Sequence, residues 1–155
     1  MNNVVRKDKV KEFVLGGKAH FTAHNLTTDN QRKYLVQAEY LLYGRVVKQR
    51  PPEDRPYTIV HYVVYNADQR KMRYIGRIDG PTLVYNPDYK YHRQEAAEFA
   101  WLYKLISTNN LPTNLLILHH GSCSVCGRPL TDAESLETGI GPICLKRIQQ
   151  YNSLK

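Results

Sequence analysis

The sequence predicts an α+β fold: an antiparallel sheet of about five strands covered by one helix, followed by a small C-terminal module organised by cysteines. Three observations carry this. Between Lys18 and Tyr85, runs rich in Val, Ile, Thr, Phe and Tyr are separated by turn-forming residues, as in successive strands. Between Tyr91 and Ser107 apolar residues recur at three- and four-residue spacing, as on a helix that buries one side. All three cysteines fall in the last 33 residues.

The elements follow in order. Lys18 to Asn25 and Gln31 to Tyr43 read as two extended segments joined by the polar turn Leu26-Thr-Thr-Asp-Asn, which makes a hairpin. Gly44 to Pro56 carries Arg45, Lys48, Arg50 and Arg55 around Pro51-Pro52; proline removes ladder donors, so this stretch reads as a basic loop. Tyr57 to Tyr65 is the clearest strand, and Asn66-Ala-Asp-Gln turns it back into Met72 to Asp79. Strict alternation on that return strand puts Arg73, Ile75 and Arg77 on one face, and Met72, Tyr74 and Gly76 on the other. Gly80-Pro81 marks a turn before a short strand at Thr82 to Tyr85. In the helix, Phe99, Leu102, Tyr103 and Ile106 form the apolar stripe, Ala96, Ala97 and Ala100 favour helix, and Trp101 is expected in the core. Asn109-Asn-Leu-Pro ends it, and Leu115-Leu-Ile-Leu is a short buried strand leading to His119. The division expected is a sheet and helix over 1–114 and a metal-binding module over 115–155.

At 155 residues and 18.0 kDa the chain suits one domain, or one domain with a small appended module. With 42% hydrophobic and 23% charged residues and a mean hydropathy of -0.53, the composition argues against wholesale disorder and against a membrane-embedded chain. No apolar run approaches the ~20 residues that span a bilayer. The N-terminal residues lack the apolar stretch of a secretory signal, so a cytoplasmic location is expected. Lys plus Arg outnumber Asp plus Glu by 22 to 14, a net +8 with a pI near 9.4, which biases encounter toward polyanions such as nucleic acid.

An odd, clustered set of cysteines fits metal ligation in a reducing compartment better than a disulfide framework. Cys123-x-x-Cys126 lets two thiolates converge on one ion from a tight turn, and Gly127 gives that turn its backbone freedom. Zinc takes four ligands in a tetrahedron, so Cys144 and one imidazole, His119 or His120, are expected to complete the shell. Neighbouring strand residues point to opposite faces, so only one of the two histidines serves. Thr131 or Asp132 caps a short helix that Gly139 ends, and Gly141-Pro142 brings Cys144 to the start of the last helix, where unpaired amides favour a thiolate. The result is treble-clef-like. Four candidate ligands close the shell, so a structural zinc is expected rather than a catalytic one.

This segment, His-x-Gly-x-Cys-x-x-Cys-Gly-Arg-Pro-Leu-Thr-Asp-x-Glu-Ser followed by Gly-Ile-Gly-Pro-x-Cys, resembles DUF6011, a zinc-finger-like family of domains of unknown function frequent in bacteriophage and prophage proteins. The resemblance implies Cys123, Cys126 and Cys144 as metal ligands and favours His119, because the family's histidine stands four residues before the first cysteine. His120 occupies a place where the family often has glutamate. Tyr74-Ile-Gly-Arg-Ile and Ala97-Glu-Phe-Ala-Trp-Leu-Tyr resemble the longer phage members. A phage origin would make the location the host cell cytoplasm.

Twelve tyrosines are many for this length, and several sit beside cations, as in Tyr89-Lys-Tyr-His-Arg93, Lys71-Met-Arg-Tyr74 and Arg32-Lys-Tyr34. Bases stack on exposed rings while Lys and Arg track phosphates, so such mixtures suit single-stranded nucleic acid. The basic surface expected comprises Arg45, Lys48, Arg50, Lys71, Arg73, Arg77, Tyr89, Lys90 and Arg93. No Gly-rich phosphate loop, nucleophile elbow or His-Glu-x-x-His motif occurs, so no enzyme activity is expected. The function expected is a zinc-stabilised nucleic-acid-binding protein. The alternatives are an anti-CRISPR-like inhibitor that binds a host protein or ribonucleoprotein defence complex and, third, a metal-dependent nuclease using His120.

Overall fold

A computed structural model describes the chain except for residues 1–2, 48, 50, 53, 56–57, 69–70, 80–82, 91 and 154–155; for 66–68, 71–72 and 151–153 it describes the backbone alone. The strands are β1 (Lys18–Asn25), β2 (Gln31–Leu42), β3 (Arg45–Val47), β4 (Thr58–Asp68), β5 (Lys71–Asp79), β6 (Val84–Pro87) and β7 (Leu115–His119). The helices are α1 (Val10–Val14), α2 (Arg93–Ser107), α3 (Ala133–Thr138) and α4 (Pro142–Ser153). The architecture is α+β, and all strand pairs are antiparallel, in the order β6-β5-β4-β2-β1-β7.

The sheet has seven strands where about five were expected. β3 forms inside the stretch read as a basic loop: Tyr43 and Gly44, both at positive φ, make a two-residue hairpin turn, and β3 pairs with Tyr40–Leu42. β7 is a strand of the main sheet, paired with β1 from Phe21↔His119 to Asn25↔Leu115. Asn3 and Val5 bond along its outer side, at His119 N–H and Ile117 C=O, and so cover the edge. Among the described residues no helix is long and apolar enough to cross a membrane.

One face of the sheet is the core. Ala19, Phe21, Tyr34, Val36, Val63, Tyr65, Ile78 and Ile117 point into it, and α2 covers it with Ala96, Phe99, Leu102, Tyr103 and Ile106. Ring contacts tie the layers together: Tyr34 and Tyr85 pack edge-on against Phe99 at 4.9 and 4.8 Å, and Phe21 against Phe13 of α1 at 6.0 Å. Ile140 and Leu145 of the C-terminal segment belong to the same core. Trp101, expected inside, is 54% exposed, because the stripe through Phe99, Leu102, Tyr103 and Ile106 turns its own neighbour outward.

The opposite face is turned to solvent. Lys18 and His20 of β1, Lys33 and Gln37 of β2 and Arg77 of β5 are exposed there, in register through Lys18↔Gln37, Gln37↔Tyr62 and Tyr62↔Arg77. Strict alternation fails on β5. A bulge between Val63 and Val64 leaves Ile75 unpaired, so Gly76 opposes Val63 while Tyr74 opposes Val64. Tyr74 and Arg77 therefore share the solvent face, and Arg73, opposite Tyr65, lies on the other. The bulge is held by Tyr85, whose hydroxyl donates to Ile75 C=O at 3.0 Å.

Candidate metal centre and basic sheet face

β7 delivers the chain to a tight knuckle. Gly121 turns at positive φ, and Ser122 bridges to Pro129. Cys123 N–H donates to Arg128 C=O at 2.8 Å, and Gly127 N–H to Cys123 C=O at 2.9 Å, so both cysteines project from one turn. Asp132 caps α3, accepting from Ser135 N–H at 3.2 Å and from its hydroxyl at 2.6 Å. Gly139 ends α3 in the left-handed region, at φ 71°. Its carbonyl accepts from Ser124 N–H at 3.0 Å, which ties α3 to the knuckle. Gly141-Pro142 then starts α4, with Cys144 in its first turn.

The three sulfurs lie within 4.8 Å of one another. Thiolates on a tetrahedral zinc, at about 2.3 Å from the metal, stand about 3.8 Å apart, so the group can close on such an ion with small side-chain adjustments. Cys123 is buried, Cys144 half-buried and Cys126 exposed. Burial opposes ionisation of Cys123, yet the backbone N–H of Gly141, 3.1 Å from its Sγ, and that of Val125, at 3.4 Å, hold its thiol below the ordinary range. Burial and the neighbouring Cys123 thiolate push Cys144 up to about 12. Three thiol groups that converge within this distance form a donor set suited to a cation among them.

His119, expected as the fourth ligand, is not brought to this group. It is 1% exposed, and both ring nitrogens are engaged: Nε2 donates to Leu136 C=O at 2.8 Å, and Nδ1 accepts from Gly121 N–H at 3.0 Å. These partners fix the neutral tautomer and make His119 a tie between β7 and α3. His120 points to the opposite face, where Nε2 lies 2.9 Å from the Thr22 hydroxyl and the ring is 6.4 Å from that of His20. Among the described residues no histidine, aspartate or glutamate joins the three cysteines.

The residues expected to form the basic surface do not share one face. Arg77 lies on the solvent face, with Asp79 Oδ1 3.0 Å from its Nε. Arg73 is half-buried on the core side, and Arg45 is exposed on β3. Tyr89, Lys90 and Arg93 gather at the start of α2, where Arg93 Nε donates to Tyr89 C=O at 2.9 Å. Lys48, Arg50 and the side chain of Lys71 lie outside the described residues. What sequence reasoning missed is Tyr62, Lys18, His20 and Lys33, which join Tyr74 and Arg77 on the solvent face. The rings of Tyr62 and Tyr74 are 5.9 Å apart, and Tyr74 is 41% exposed. A groove of about 270 Å³ between Lys18, His20, Leu35 and Gln37 runs on to Ser122 and Gly127 of the knuckle. The missing signal was cross-strand register, which no single segment displays.

Residues 117–149 match the model of DUF6011, a family of unknown function. No curated protein and no solved structure matches the chain.

Proposed function

We propose that this chain is a non-enzymatic nucleic-acid-binding protein whose treble-clef-like C-terminal module is stabilised by zinc, and that single-stranded nucleic acid lies on the solvent face of the sheet. The observation that carries the reading is the Tyr62–Tyr74 pair beside Arg77, with Lys33, His20 and Lys18 across β2 and β1. Exposed rings offer sequence-tolerant platforms for bases, and the flanking cations meet phosphates. The net charge of +8 favours the same class of partner. Clustered thiolates select soft and borderline metals, zinc among them, and a zinc ion here would fix the knuckle against the sheet.

Fluorescence anisotropy with labelled single-stranded DNA and RNA tests this. Binding should weaken steeply with salt. Tyr62→Ala and Tyr74→Ala should each cost about 1–3 kcal/mol of binding, roughly 5- to 150-fold, and Tyr74→Phe little. Absence of salt-dependent binding to either polymer would sink the reading.

A protein partner is the second reading, favoured by Trp101. This exposed indole borders a small apolar cavity of about 170 Å³, beside the Arg32–Glu98 pair at 3.0 Å, and aromatic anchors of this kind concentrate binding energy at protein interfaces. A host protein that is retained on the chain after nuclease treatment, and released by Trp101→Ala, would favour it over the first.

A further inference from the structure

Three thiolates face one another at the knuckle, and the residue best placed by sequence to complete their shell is committed elsewhere. His119 uses both ring nitrogens within the core, and His120 sits on the other face of the sheet against Thr22. Beside the sulfurs opens a cleft of about 420 Å³, lined by the three cysteines together with Arg128, Ile143 and Arg147. Arg128 and Arg147 are exposed and have no carboxylate partner among the described residues. Ile143, 63% exposed, gives the cleft an apolar wall.

We infer that Cys123, Cys126 and Cys144 hold their metal from three sides only, and that the fourth side opens on this cleft to receive an oxyanion of the phosphate class between Arg128 and Arg147. The charges favour this. Three thiolates around a divalent ion sum to minus one, and the two guanidinium groups bring the cleft to plus one. Guanidinium forks match the tetrahedral oxygens of phosphate, which gives the cleft its selectivity for an oxyanion over a neutral ligand. A coordination position that faces a cleft rather than a protein side chain is the arrangement in which zinc accepts a ligand from outside the chain. The oxyanion is either free phosphate or a phosphate of bound nucleic acid. The inference rests on the zinc reading proposed above, not on the sheet face.

The test uses the full-length protein loaded with zinc. Metal analysis should find one zinc per chain, and X-ray absorption fine structure should show three sulfurs near about 2.3 Å and one light scatterer without an imidazole outer shell. With cobalt in place of zinc, inorganic phosphate should shift the visible ligand-field bands saturably. Arg128→Ala with Arg147→Ala should raise the phosphate concentration needed at least tenfold while leaving metal content unchanged. A 5′-phosphorylated oligonucleotide that shifts the bands at lower concentration than its 5′-hydroxyl counterpart assigns the source to nucleic acid; equal behaviour, with phosphate active alone, assigns it to the free ion, and both support the site. An imidazole shell, a fourth sulfur or bands that ignore phosphate overturn this inference alone, whereas a chain that holds no zinc overturns the zinc reading with it.

Discussion

Gly139 and Gly127 occupy the same region of backbone space, at φ 71° and 81°, yet they should respond very differently to alanine. At Gly127 an added Cβ would meet only the flexible Lys18 side chain, at 3.6 Å, so Gly127→Ala should cost the left-handed backbone penalty alone, about 1–2 kcal/mol. At Gly139 a Cβ would stand 2.6 Å from Cε2 of Phe13, well inside contact distance. Phe13 is fully buried and braced edge-on against Phe21, so it has nowhere to retreat. Overpacking of this kind adds about 1–3 kcal/mol, for a total of about 2–5 kcal/mol. Urea unfolding of the native protein, followed by far-UV circular dichroism, measures both. Phe13→Leu in the Gly139→Ala background should return part of the loss, with a coupling of about 1 kcal/mol or more. Equal destabilisation by the two glycine substitutions, or strict additivity with Phe13→Leu, would refute the close packing of Gly139, the C-cap of α3, against Phe13 of α1.

Two further outcomes follow from the same geometry. Cys144→Ser, or treatment of the native protein with a chelator, should abolish stoichiometric metal binding and lower the helical signal of α3 and α4, because a metal held by the three cysteines would join α4 to the knuckle; amide exchange should show protection lost over 122–150 and kept in β4 and β5. His61 faces the core opposite Ala38, and burial lowers its pKa against the opposing effect of its hydrogen bond to Leu15 C=O at 3.0 Å. The unfolded chain therefore takes up the proton first, so stability should fall as pH drops below about 6.5 and level off once the folded-state pKa is passed. His61→Gln should flatten the urea midpoint between pH 7 and 5.5 relative to the parent. The two proteins share the same metal site, so their difference isolates His61, and parallel profiles would contradict its assignment.

Much of the fold was legible because strands and helices announce themselves through short-range periodicity. β1, β2, β4, β5 and α2 were each visible in runs of eight or more residues. β3 was not, since three residues beside a proline-rich basic run carry too little pattern, and its turn places a tyrosine at positive φ, where glycine or asparagine is the usual signal. α1 was missed for a like reason: five residues give barely more than one helical turn. β7 reads as a strand from its sequence, but its partner β1 stands far earlier in the chain, from Phe21↔His119 to Asn25↔Leu115, and nothing local to Leu115–His119 specifies it.

The candidate site divides along the same line. Cys-x-x-Cys and the glycines around it act within one turn, so spacing alone predicted that Cys123, Cys126 and Cys144 would meet. The imidazole was a different problem, because its direction depends on which face of β7 is buried. Leu115 and Ile117 point into the core, so His119, at the next odd position, must follow them there and satisfy its nitrogens inside the protein. The same rule applied to β5 failed at the Ile75 bulge, and that failure brings Tyr74 round to Tyr62 and Arg77. The bulge in turn requires Gly76, since a Cβ there would fall 2.6 Å from Cζ of Tyr85 and 2.7 Å from Asn86 C=O. One residue without a side chain in the core thus decides which aromatic residue reaches the solvent face.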